Sequence, residues 1–122
     1  MSAGAAVVAA LRARLEADPA LASVDMGSSR ADVLPRIRID PPQLLGWSAS
    51  AMPGREVRTA VSVRVGDGQL ARLPVMTDAV ERAGEAMAGD IGGWGVASAV
   101  LLRVTGFPGG ALIENRVRVV EL

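Results

Sequence analysis

Residues 56–65, Glu-Val-Arg-Thr-Ala-Val-Ser-Val-Arg-Val, alternate in character along their length. Val57, Thr59, Val61, Val63 and Val65 fall on one side of an extended chain. Glu56, Arg58, Ser62 and Arg64 fall on the other, with Ala60 among them. A period of two held this long demands a strand with one face on a core and one face open. The rest of the chain must therefore supply a layer to cover the valine side.

Two helical segments can form that layer. Residues 3–17 place Val7, Val8, Leu11 and Leu15 on one helical face, with Ser2 as cap and Asp18-Pro19 as stop. Residues 73–88 place Met76, Ala79, Val80, Ala83 and Met87 on another, with Pro74 in the first turn and Gly89 past the end. Three further strands are expected. Residues 35–40 alternate Ile37 and Ile39 with Arg36, Arg38 and Asp40, and Pro41-Pro42 ends them. In residues 96–107, Val96, Val100, Leu102 and Val104 share a face with Ser98. Residues 113–122 set Ile113, Val117 and Val119 against Glu114, Arg116 and Arg118. Residues 20–34 read as irregular and 41–54 as a long loop. The expected fold is α+β in order α-β-β-α-β-β, a four-stranded, mainly antiparallel sheet with two helices on one face. At 122 residues it fits a single domain over 1–122.

Residue types absent from the sequence narrow the chemistry. There is no His, Cys, Lys or Tyr. That removes the commonest general base, thiolate nucleophiles and zinc–cysteine sites. Ser28, Ser29, Ser48 and Ser50 have no base to activate them. Asp25, Asp32 and Asp40 have no spacing that pairs them, and Asp67, Asp78 and Asp90 sit in nothing like a calcium loop. Gly66, Gly68 and Ala71 spell G-x-G-x-x-A between a strand and a helix. A dinucleotide turn also needs a parallel strand after that helix, with an acid at its end, and Asp90 lies in a glycine loop instead. A simple Asp67-Gly68 turn is the plainer reading. No enzyme activity, catalytic residue, metal or cofactor is expected.

Partners follow from charge and apolar placement. Thirteen Arg balance thirteen acids, so no strong overall field draws in nucleic acid or anionic lipid. No basic segment precedes the apolar N-terminus and no apolar run reaches 18 residues, so neither signal peptide nor membrane span is expected and cytoplasmic synthesis is the default. Arg36, Arg38, Arg58, Arg64, Arg103, Arg116 and Arg118, with Asp40, Glu56 and Glu114, populate the open side of the expected sheet. They form either a solvated face with cross-strand ion pairs or a subunit surface. Leu44, Leu45, Trp47 and Met52 in the 41–54 loop either fold over the core edge or form an apolar patch for a partner, with Trp47 the natural anchor.

The segments ALRARLEADPALASV, LPRIRID, the Trp47-Ser48 loop, REVRTAVSVRV, the Ala-rich helix and the final NRVRVVEL follow one another across nearly the whole chain. In this order they resemble the tail-completion, or tail terminator, proteins of long-tailed phages, prophages and gene transfer agents. Arg64-Val65-Gly66 and the Pro108-Gly109-Gly110 turn depart from the family pattern. The resemblance implies a virion structural protein: a hexameric homo-oligomeric ring that caps the tail tube at its head-proximal end. It would contact the tail tube protein and the head–tail connector, with DNA passing through the centre. It implies tube or neighbour contacts for Leu44, Leu45, Trp47 and Met52, and inter-subunit or lumen-facing roles for Arg58, Arg64, Arg103, Arg116 and Arg118. A neutral surface would let DNA slide past. The alternatives are another head–tail joining or tube protein, or a small ligand-binding α+β module.

Overall fold

A computed structural model describes residues 1–27, 33–49 and 51–122. Ser28, Ser29, Asp32 and Ser50, weighed above for chemistry, lie outside the described residues. The chain runs α1 (Ala3–Ala17), β1 (Arg36–Ile39), β2 (Gln43–Ala49), β3 (Met52–Arg64), α2 (Leu73–Glu85), β4 (Trp94–Phe107) and β5 (Gly110–Glu121). Short 3-10 turns at Pro19–Leu21 and Asp67–Arg72 lead out of α1 and into α2.

The helices form for the reasons legible in their sequence. The Ser2 hydroxyl accepts from the Ala5 N–H at 3.2 Å, satisfying a donor that the first turn leaves free. Asp18 ends α1 in extended geometry before Pro19. Pro74 occupies the first turn of α2, where a missing N–H costs nothing. The helix ends at Glu85, three residues before the expected limit, and the chain turns at Gly89 with φ of 74°.

All strand pairings are antiparallel, in the order β1-β3-β5-β4. β1 pairs with the second half of β3 and β2 with the first half, so both share the β3 edge opposite β5. The sheet therefore has five strands, not four, and the order is α-β-β-β-α-β-β. The expected 41–54 loop is instead a β2–β3 hairpin, with Gln43 opposite Arg58 and Ala49 opposite Met52. Sequence periodicity misses β2 because one side of Gln43–Ala49 holds Leu45 and Trp47 over an open face, which leaves no polar alternation to detect.

Both helices cover one sheet face, α1 against β3 and α2 against β5 and β4. Val57, Val61, Val63, Ile113, Val117 and Val119 of the sheet meet Val7, Leu11, Leu15, Met76, Val80 and Met87 of the helices in one core. Each such side chain contributes about 1.5–3 kcal/mol on burial. Two polar residues, Thr59 and Asn115, lie opposite each other in this face and are buried. A Cβ on Gly84 would come 2.7 Å from the Asn115 side chain, so glycine lets α2 settle directly on β5.

β4 departs from the alternation expected of it. Its pairing with β5 shifts between Val96 and Ser98 and again between Leu101 and Arg103. Each extra residue flips the side-chain parity. Val96, Ala99 and Leu101 therefore pack on the core, whereas Val100 lies opposite Arg116 on the open face and Leu102 is 43% exposed. The expected common face of Val96, Val100, Leu102 and Val104 does not exist.

Candidate functional site

The sheet face turned away from the helices is the richest concentration of functional side chains among the described residues. Strand parity fixes it. Residues opposite Val57, Val61 and Val63 along β3 must point outward, and their neighbours in register follow. Arg36 lies across from Arg64, Arg38 from Ser62, Arg58 from Arg116, Glu56 from Arg118, and Arg103 from Glu114. The seven arginines and three carboxylates expected on this side are brought onto one face.

Glu56 is its centre. The residue is 6% exposed, and its carboxylate accepts from Arg58 Nε and Arg118 Nε, each at 3.0 Å. Burial pushes the Glu56 carboxyl up. The hydrogen bonds from Arg118 and Arg58, with their positive charges, outweigh it and hold the group below the ordinary glutamate range. Arg118 also stacks on Trp47, 5.5 Å from the ring centroid. Arg103 grips Glu114 through Nε at 3.2 Å and a second nitrogen at 3.0 Å, and Arg38 reaches Asp40 at 3.4 Å. Arg64 lies over Phe107 at 5.0 Å. Arg116 Nε is buried without a hydrogen-bond partner among the described residues. A shallow depression between Arg36, Arg38, Arg64, Phe107 and Leu112 adjoins this row.

The four apolar residues of 41–54 are divided by the hairpin. Leu45 lies opposite Glu56, and Trp47 opposite Gly54, so both are on the open face. Met52 follows the same parity at the hairpin end and is 45% exposed. Leu44 lies opposite Val57 on the helix side, beside Gly4 of α1. Trp47 is half-buried, since its ring rests over Gly54, where a Cβ would come 2.7 Å from it. It is thus a ring laid flat on the sheet rather than a side chain projecting from a loop.

A chain of a native gene transfer agent particle shares this fold. The solved structure is described as the virion of that particle. The two chains align over 98% of this one and 99% of the other, with a TM-score of 0.68 and 18% identity. No protein-family model matches the sequence, and no curated protein does.

The glycine motif does not form a nucleotide cradle. The Gly66 N–H donates to Gln69 Oε1 at 2.9 Å, and Asp67–Arg72 turns as a 3-10 segment into α2. β4, the strand after α2, is separated from β3 by β5, so the two strands are not adjacent for a dinucleotide to straddle. Among the described residues no three acidic side chains converge as metal ligands would, and no helix is long and apolar enough to cross a membrane.

The parity of β4 was beyond sequence reasoning, whereas the excess of arginine on the open face follows from the alternation already read in β1, β3 and β5. The chain is neutral, but this face carries seven arginines against Asp40, Glu56 and Glu114. Elsewhere the described residues carry Arg12, Arg14, Arg55, Arg72 and Arg82 against nine carboxylates. The neutral sliding surface expected from composition is therefore not what the open face presents.

Proposed function

We propose that this chain is a structural protein of a phage-like particle, a single tail-terminator-like domain without catalytic function. Copies of it, six in the ring implied by the family resemblance, end the tail tube at its head-proximal side and join it to the head connector. DNA passes through the ring. The chain is made in the cytoplasm and then built into the particle. The observation that carries this reading is the end-to-end match in fold with a chain of a gene transfer agent virion. The order of sequence segments supports it independently.

In this reading Leu45, Trp47 and Met52, with Leu44 at the hairpin edge, dock on the tube or a neighbour. Arg58, Arg64, Arg103, Arg116 and Arg118 make inter-subunit or lumen-facing contacts. A heterologous interface closes into a ring when its rotation divides the circle. Light scattering and negative-stain images of the purified protein are the test. Discrete rings are expected, long filaments would assign a tube subunit instead, and a protein monomeric at every concentration would overturn the proposal. Trp47→Ala is expected to keep its circular dichroism spectrum and weaken assembly by about tenfold or more, as loss of a tryptophan anchor does.

A further inference from the structure

Two surfaces of this molecule carry opposite charge that the chain itself leaves unanswered. The open sheet face has an excess of arginine. Asp40, Glu56 and Glu114 engage Arg38, Arg58, Arg118 and Arg103. Arg64 meets only the Phe107 ring in its described contacts, and Arg116 Nε has no hydrogen-bond partner among the described residues. On α2, Asp78, Glu81 and Glu85 recur at steps of three and four residues and so form one stripe, flanked by Arg82, which reaches Asp18 at 3.4 Å. Buried Met76, Ala79, Val80 and Ala83 put that stripe on the side away from the sheet. Among the described residues none of its three carboxylates forms an ion pair.

The open face is also unlike the wall of a DNA path. Excess guanidinium charge grips phosphate and would hold DNA back. Leu45, Trp47, Val100, Leu112 and Phe107 interleave with the arginines. Arginine with aromatic and aliphatic side chains is the composition of a protein–protein interface core. Glu56 is already withdrawn from water by its own sheet, so covering it removes little further hydration.

We infer that the open sheet face of one copy docks on the acidic outer stripe of α2 in the next copy. The inference rests on the reading of the chain as a ring subunit, and it assigns the arginines to the subunit contact rather than to the channel. The two surfaces lie on opposite sides of a two-layer molecule. Contact between them is head-to-tail and leaves the sheet face open at one end and the α2 stripe open at the other, and it closes into a ring where its rotation divides the circle.

Charge reversal tests it. One variant combines Arg64→Glu with Arg116→Glu, and the other combines Asp78→Arg, Glu81→Arg and Glu85→Arg. Among the described residues none of the five side chains is in an ion pair, so both variants should keep the native circular dichroism spectrum. Sedimentation velocity is expected to show each set alone raising the concentration for half-assembly by about tenfold or more. Joining both sets in one chain should restore assembly to within about threefold of the unmodified protein. If a reversed set loses its native spectrum, Arg64→Gln with Arg116→Gln, or Asp78→Asn with Glu81→Gln and Glu85→Gln, replaces it. A weakening of about threefold is then expected. Rings that form unchanged in both reversed variants overturn this interface and leave the ring reading standing, as does a joined variant that stays dispersed. An unmodified protein that never assembles overturns both. Rings that persist in the Arg64→Glu, Arg116→Glu variant while its salt-dependent binding to a short DNA duplex is lost would place the face in the channel, against the inference.

Discussion

Glu56 shows how one carboxylate can organise a surface. It is buried between Arg58 and Arg118, and Arg118 in turn covers Trp47. Its pKa in the folded chain lies below the unfolded value of about 4.3. The stability it contributes is fully present above that unfolded value and is lost as pH falls through the folded one. Thermal melts of the wild type between pH 7 and pH 3 should therefore decline on the acid side. Glu56→Gln should melt lower than wild type at pH 7, decline less steeply below about pH 4.3, and approach wild type as pH falls through the lowered folded pKa of Glu56. Parallel curves for the two proteins would show that Glu56 contributes nothing through its charge. Sequence alternation placed Glu56 and its arginines on the open side correctly. It could not reveal that the carboxylate is buried there, because that depends on Arg118 arriving from 62 residues away.

β2 and β4 are where local pattern and final structure part. The 41–54 segment lacks alternation and is bracketed by Pro41-Pro42 and Pro53-Gly54, so by its own sequence it reads as a loop. β3 is long enough to pair with β1 along one half and β2 along the other, and that available edge makes a strand of it. β4 alternates well, but its first bulge reverses the parity and its second restores it, so Val100 faces away from Val96 and Val104; both bulges are set by its register against β5. The consequence is measurable at adjacent leucines. Leu101→Ala should lower unfolding free energy by about 2 kcal/mol, because Leu101 packs on the core. Leu102→Ala should cost less than about 0.5 kcal/mol, because Leu102 is exposed. Urea titrations that gave the reverse ranking would favour an unbroken alternation in β4. α1 and α2, in contrast, follow their sequence signals closely, because caps, proline positions and apolar stripes act within a few residues.

The assembled fold is a two-layer slab whose core is built largely from Val, Leu, Ala and Met, with only three aromatic residues in the chain. Small aliphatic side chains bury limited area each, so partner subunits can add a large share of total stability. If copies assemble as proposed, the melting temperature should rise with protein concentration across the range where scattering detects rings. A melting temperature constant from dilute monomer to concentrated sample would count against assembly. The alternation of 56–65, the two helical stripes and the residue types missing from the chain settle an α+β layer fold with one charged face, since each depends only on near neighbours along the sequence. The fifth strand, the parity of β4 and the embedding of Glu56 were decided by tertiary structure. Each depends on which strand edge meets which, a pairing energy spread over residues far apart in the chain and invisible in any short window of it.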